Sequence, residues 1–376
     1  VLCLVQACAT TPAARSPRWP IPAAVADTIR SEQLAPGVLV HHLVRNAGPQ
    51  RIHVIDIDRS ACVSFRAVKG GTTAVGRTTT SELLRSVPVS DRPLAAVNAD
   101  FFLFAPPGVP VGAMMSDGRL IAGPIDRPVL ALDVSSNPSI GRLLVGGTIT
   151  SARGTLPLVS WNRPTASALG VVDNAWGQPL DSVSRPGAKM LIPLPNAQYR
   201  IAALPPAHTG QALADTLMLV GSARASLLDG DTVRIKTALS PGAPYNVVGG
   251  FPLLVRDSAI APVVDSAGAV SFRGVNPRTA VGFADNGHRL LLAVFDGRQP
   301  GVSVGTTTRE TAAFMRDFGA REALNLDGGG STAMAVRDLE TGQIRVVNRP
   351  SDAAGERPVA NALVVLGTCG GAKRGN

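Results

Sequence analysis

Apolar residues alternate with polar ones through Arg51–Val68, "RIHVIDIDRSACVSFRAV". A period of two predicts half-buried strands, here broken at Asp58 to Ser60. "LAAVNADFF" (Leu94–Phe102) reads as an apolar strand that ends in polar residues, and "EALNLD" (Glu322–Asp327) as another. Between apolar runs, Asp117-Gly118 and Asn286-Gly287 predict hairpins, because both turn positions tolerate positive φ. Two segments break the alternation. "TTTSELLRSV" and "TTRETAAFMRDFGA" place Thr79 three residues before Glu82 and Thr307 three before Glu310. Both spacings are those of a capping box and predict short helices, the second closed by Gly319 as a left-handed cap. Strands outnumber helices and no repeat of solenoid length is evident, which gives an α+β class with a large mixed β-sheet core and a few packed helices.

Residues 1–24 read as the tail of a truncated export or lipoprotein signal plus an Ala/Pro/Ser linker. In "VLCLVQAC", Cys8 stands where a lipid anchor would be attached. Residues 25–368 read as the catalytic domain, with 140–245, rich in Gly and Pro breaks, as an inserted subdomain, and 369–376 as a tail. The expected localisation is exported, periplasmic or extracellular, and any membrane contact would run through Cys8. No run of about 18 apolar residues predicts a transmembrane helix.

The net charge of +9 comes from 36 Lys+Arg against 27 Asp+Glu, spread thinly and without a basic run, so it argues for attraction of small anions and against a nucleic-acid groove. Four cysteines and five histidines show no metal-ligand spacing, which disfavours a zinc enzyme. Cys62 and Cys369 read as buried thiols, with oxidative pairing the alternative.

Chemistry concentrates where apolar strands give way to loops: Asn98 and Asp100, Arg278, Asp296 and Arg298, and the run "NLDGGGST". Gly328, Gly329 and Gly330 are too many for a hairpin turn, so something approaches the backbone closely there. They predict an anion cradle of backbone N–H groups, or a close substrate floor, with arginine forks nearby. Paired carboxylates beside an anion site suggest hydrolysis at a sugar carbon. A phosphodiester leaving group is a weak base, so arginines and N–H groups can replace a strong general acid. "GVSVG" (Gly301–Gly305) matches a nucleophile-elbow spelling, but no histidine follows it and a Pro-Gly loop leads into Ser303. Trp161 and Trp176 offer sugar stacking or ordinary packing.

Taken together, "AAVNADFF", "VVGGFPLLV" (Val247–Val255), "NPRTAVGF", "FDGR", "SVGTTTRETAAFMRDFGAREALNLDGGGSTAM" and "RPVANALVV" resemble the phosphodiester glycosidase family over residues 37–367. The resemblance implies removal of a sugar from a sugar-1-phosphodiester, such as one carrying N-acetylglucosamine, in envelope polysaccharide or its fragments. It implies Asp296, Asp327 and Asp100 as catalytic carboxylates. Asn98, Gly249, Gly250, Arg278, Arg298, Asn325, Gly328, Gly329, Gly330 and Ser331 would line the substrate. No cofactor is implied, and the partner would be a small sugar-phosphodiester or anionic glycan. A divalent cation among Asp100, Asp296 and Asp327 is the lesser option, since the arginines already bring positive charge to that rim. "NADFF" departs from the Asn-Gly-Gly-Phe-Phe of many relatives and puts the Asp100 carboxylate where glycine is common. Two other functions fit the same residues: a non-catalytic envelope protein binding anionic glycans, and a factor of exopolysaccharide assembly transferring sugar to a sugar acceptor.

Overall fold

Period-two segments become antiparallel strands throughout. The computed structural model describes residues 19–164, 167–180, 185–205, 211–212, 215–221 and 227–367. Cys3, Cys8 and Cys369 lie outside them, as does the expected signal. An eight-stranded sheet runs, in spatial order, Thr28–Ala35, Val38–Arg45, Gln50–Asp58, Arg289–Phe295, Arg278–Ala284, Glu322–Asn325, Leu253–Arg256 and Ala259–Ile260. A five-stranded sheet runs Ile344–Val346, Met334–Arg337, Pro93–Asn98, Asn361–Gly367 and Val63–Lys69. A second five-stranded sheet carries the hairpin Met114–Ser116 and Arg119–Ala122, and a further eight-stranded sheet is drawn entirely from residues 144–240.

The sheets are large, as expected, but mixed at one place only. Among the described residues, apart from the short parallel pair of Ser160–Trp161 with Gly170–Val172, every pairing is antiparallel. The physical reason is connectivity. A parallel pair needs a crossover of a dozen or more residues, usually a helix, and the described chain has two α-helices, α1 (Thr80–Ser86) and α2 (Thr308–Asp317). The protein is mostly β.

The layers follow from which face of each strand is apolar. Val40, Ile55, Val281 and Leu292 on one face of the large sheet pack against Val97, Leu363 and Val365 of the five-stranded sheet. On its other face, Leu43, Val54, Leu291 and Phe295 meet Phe314, Met315 and Phe318 from α2 and its C-terminus. Leu83 and Leu84 of α1 cover the outer face of the five-stranded sheet.

Both caps form, one completely. Thr307 accepts the Glu310 N–H at 3.1 Å and Glu310 accepts the Thr307 N–H at 2.7 Å. At α1 only Thr79 caps, at 3.3 Å, because the Glu82 carboxylate pairs with Arg85 instead. Gly319 takes φ +107° and ends α2 as expected. Asp117-Gly118 makes its hairpin. The Asn286-Gly287 connection is longer, with Asp285, Asn286 and Gly287 all at positive φ. The strands on either side of Asp58–Ser60 belong to different sheets, Gln50–Asp58 pairing with Val38–Arg45 and Val63–Lys69 with Asn361–Gly367. Cys62 is exposed and disulfide-bonded, not a buried thiol. Among the described residues no helix is long and apolar enough to cross a membrane.

Candidate active site

The strand Glu322–Asn325 lies between Arg278–Ala284 and Leu253–Arg256, and the chain leaves it through Asp327 into a tight turn at Gly329–Ser331. The close approach that this glycine run implies is made by the protein itself. A Cβ on Gly328 would stand 2.7 Å from the Pro277 carbonyl, and one on Gly329 3.0 Å from Arg298 Nη2. On Gly330 it would overlap the Arg357 guanidinium and the Asp352 carboxylate, which hold one another at 2.8 and 3.1 Å. Two of the three N–H groups of the expected cradle donate within the protein, Gly328 to Asp327 Oδ1 at 2.9 Å and Gly329 to the Pro277 carbonyl at 2.9 Å. The Arg298 and Arg357 guanidinium groups line the turn beside them.

Two carboxyl groups meet beneath the turn. Asp327 is partly exposed at the rim, and burial of its carboxyl raises its pKa to about 6 against the opposing pull of Ser331, the Gly328 N–H and Arg357. The Ser331 hydroxyl lies beside that carboxyl without a hydrogen bond of good geometry. Asp100 is 2% exposed, and burial raises its pKa to about 7, with Asp327 adding to the rise and the Gly112 N–H and Arg163 opposing it. Its Oδ2 accepts the Gly112 N–H at 2.7 Å. The space for this carboxylate exists because two side chains are missing: a Cβ on Gly249 would be 2.6 Å, and on Gly112 2.9 Å, from Asp100 Oδ2. Asn98 fixes the floor, accepting from Thr279 Oγ1 at 2.7 Å and the Ala333 N–H at 3.1 Å, and donating to the Asp327 carbonyl at 2.7 Å. All of its polar atoms are thus committed to the scaffold.

Beside the glycine turn stand two arginines with no carboxylate partner among the described residues. Arg278 is buried and donates only to carbonyls, from Nε to Thr306 at 3.1 Å and from Nη2 to Phe272 at 2.5 Å and to Gly274. Burial, and then the neighbouring Arg298, lower its pKa to about 10. Arg298 is exposed, takes φ +59°, and donates to Asn276 Oδ1 from Nε at 3.1 Å and from Nη2 at 2.9 Å. A rim of half-buried rings follows: Phe272 meets Phe101 and Phe251 edge to face at 5.4 and 5.3 Å, with Arg127 over Phe251 at 5.4 Å. Two arginines lining the glycine turn and a pair of carboxyls with raised pKa values below it suit an anionic group attached to a carbon at which acid–base chemistry occurs.

Residues 209–366 match the phosphodiester glycosidase family. Among solved structures, a hypothetical protein from Synechocystis is 24% identical with a TM-score of 0.72, over 90% of this chain and 63% of that one. The chain therefore spans under two thirds of that protein. A Burkholderia pseudomallei protein described as exported is 26% identical with a TM-score of 0.63, over 86% of this chain and 75% of its own. The catalytic domain of zebrafish N-acetylglucosamine-1-phosphodiester alpha-N-acetylglucosaminidase, auto-inhibited by its pro-peptide, is 16% identical with a TM-score of 0.48, over 90% and 83%. No curated protein matches.

The phosphodiester glycosidase match contains both unpaired arginines, Asp327, the glycine turn and the Asp352–Arg357 pair; Asn98, Asp100, Gly112 and Arg163 are brought in from outside it. Asp296 also falls within the match but stands apart from the other two aspartates. Arg278 is the register partner of Phe295, so Asp296, one residue on, starts on the opposite face. Its Oδ1 accepts from Asn348 Nδ2 at 3.1 Å and the Arg349 N–H at 3.0 Å, and Asn348 Nδ2 also donates to the Thr332 carbonyl at 3.2 Å. Among the described residues no group of three His, Cys, Asp or Glu is placed to hold a metal ion.

Asn325 Nδ2 donates to the Phe251 and Leu326 carbonyls at 2.8 Å each, leaving Oδ1 buried without a partner. Gly250 is needed where a Cβ would meet the Asn325 carbonyl at 2.5 Å. Ser303 is buried and committed, donating to the Asp296 carbonyl at 2.7 Å and accepting the Arg51 N–H at 3.0 Å, which excludes it as a nucleophile. Trp176 is core, and Trp161 lines a separate cavity of about 610 Å³. The sequence reading missed Gly112, Arg163, Asn348, Asp352 and Arg357. "RPVANALVV", which begins at Arg357, was the one available signal for that residue.

Proposed function

We propose that this protein hydrolyses the glycosidic bond of a sugar-1-phosphodiester, of the N-acetylglucosamine-1-phosphodiester kind, in envelope polysaccharide or its fragments. One observation carries the reading: Arg278 and Arg298, without carboxylate partners among the described residues, line the glycine turn that follows Asp327, one of a pair of carboxyls whose pKa values burial has raised. The phosphodiester would take the place of the missing counter-ion. As the bond from the anomeric carbon to the phosphate oxygen breaks, the departing oxygen keeps the electron pair and the arginines stabilise its charge. Asp327, partly ionised near neutral pH, accepts a proton from the attacking water while that oxygen bonds to the anomeric carbon. Asp100 holds a proton below it, which limits the negative charge on the pair. Asp296 supports the turn from the other face through Asn348. The Burkholderia relative supports an exported setting for this chain as well.

The test is release of free sugar from a panel of UDP-N-acetylglucosamine and methyl-phospho-N-acetylglucosamine by wild type and Asp327→Asn. Release by wild type and its loss in the variant, with binding retained, is the expected result. A wild type that binds these compounds and releases nothing would refute hydrolysis and leave a glycan-binding protein.

A further inference from the structure

Four polar side chains form a line from the edge of the large sheet to Asp296. Glu32, His42 and His53 lie on its first three strands, and His42 and His53 are direct register partners. His42 Nε2 is 3.5 Å from Glu32 Oε1, His42 Nδ1 is 2.9 Å from His53 Nδ1, and His53 Nε2 is 3.6 Å from Asp296 Oδ2. The two rings meet edge-on at 5.1 Å.

The short contact fixes a direction. Two Nδ1 atoms at hydrogen-bond distance must share one proton, with one ring donating and the other accepting. One Nε2 lone pair must then face a carboxylate: Asp296 if His53 donates, or Glu32 if His42 donates, and Glu32 is the one whose charge an arginine, Arg345, offsets. With His42 donating, His53 accepts on Nδ1 and carries its proton on Nε2, facing the carboxylate. The 3.6 Å separation closes to a hydrogen bond with a small ring movement.

We propose that His53 is the positioning residue of Asp296, and that Glu32, His42 and His53 form a proton path ending at that carboxylate. A proton from solvent enters at His42 Nε2 beside Glu32. The Nδ1 proton of His42 then passes to Nδ1 of His53, and His42 returns to neutrality. His53 becomes an imidazolium with its Nε2–H against Asp296. One proton enters, one positive charge arrives, and no electrons are transferred.

The surrounding charges are few. Arg30 lies across from His42 on the first strand, Arg345 pairs with Glu32 from the strand Ile344–Val346, and the Arg349 N–H holds the far side of Asp296. Burial, and then the neighbouring His53 ring, depress the pKa of His42, so the extra proton enters under acidic conditions. Asp296 is joined through Asn348 to the Thr332 carbonyl and so to the glycine turn. Charge arriving at His53 draws Asp296 away from Asn348 and loosens that turn.

The first test is two-bond proton–nitrogen NMR of the full chain with nitrogen-15 histidine at pH 7.5, assigned with His42→Gln and His53→Gln. The expected result is His42 protonated on Nδ1 and His53 on Nε2, with the titration of His53 altered in His42→Gln. Both rings protonated on Nε2, or a His53 titration indifferent to His42, would overturn the path. The second test rests on the glycosidase reading. His53→Gln should lower kcat roughly tenfold or more at nearly unchanged KM and flatten the acid limb of the pH profile. Loss by one constant factor at every pH overturns the proposal. A wild type inactive at all pH values refutes the glycosidase, while the NMR result still decides the path.

Discussion

Replacing Asp100 by asparagine keeps the shape of the side chain and removes its titration. The amide oxygen can still accept the Gly112 N–H that Asp100 Oδ2 accepts at 2.7 Å. In the folded protein burial raises the Asp100 pKa from 3.8 to about 7, so the folded state holds a proton that the unfolded chain releases. A raised folded pKa contributes stability that is complete below pH ~4 and is lost as pH rises to ~7. At about 1.4 kcal/mol per pH unit the loss approaches ~4 kcal/mol, an upper figure because Asp327 titrates in contact with it. The Asp100→Asn variant, with no proton to release, escapes that loss. Urea unfolding of wild type and Asp100→Asn at pH 4.5 and pH 8 should therefore show near-equal stability at the lower pH and a more stable variant at the higher. A stability difference identical at the two pH values would refute the argument that burial, rather than its hydrogen bonds, governs this carboxyl.

Arg278→Ala should destabilise by ~2–4 kcal/mol in urea unfolding, because the Thr306, Phe272 and Gly274 carbonyls lose their donor inside the protein. Millimolar inorganic phosphate should raise the melting temperature of wild type, and less so in Arg298→Ala, by occupying the site of the missing counter-ion; equal shifts in both would place the anion elsewhere. Gly249→Ala should lower stability by ~1–3 kcal/mol, since its Cβ would stand 2.6 Å from Asp100 Oδ2, and Asp100→Gly in the same chain should restore most of the loss. Additive losses in that double variant would show that the clash lies with another neighbour.

The elements written in local pattern were the legible ones. Alternation gave the strand around Asp56, an apolar run after Asn286-Gly287 gave the one around Leu292, and the spacing of Thr307 to Glu310 gave a helix with its complete cap. Pairing was less legible, because it is decided between segments far apart in the chain. The register of Arg278 with Phe295 alone sends Asp296 to the other face from its neighbour in the "FDGR" motif. The glycine run was legible as a place of close approach, but nothing in "NLDGGGST" reveals that Pro277, Arg298 and Arg357 are the groups that approach it. Gly112 and Arg163 carry no local mark of their closeness to Asp100. His42 and His53 had a mark that went unused: they are equidistant from the connection between Arg45 and Gln50, so a hairpin there sets them opposite one another.

The Asp100 carboxylate and the bare backbones of Gly112 and Gly249 occupy one volume between them. In a chain with glycine at position 100, that volume is free for a side chain at position 249, whereas one at position 112 would still meet the Gly249 Cα at 2.9 Å. Positions 100 and 249, on separate segments, thus behave as a single slot that admits one substituent at a time, with position 112 as its wall. A search for altered sugar preference in this scaffold should vary the three as a set, because single changes at either glycine meet the carboxylate before they can reach a substrate.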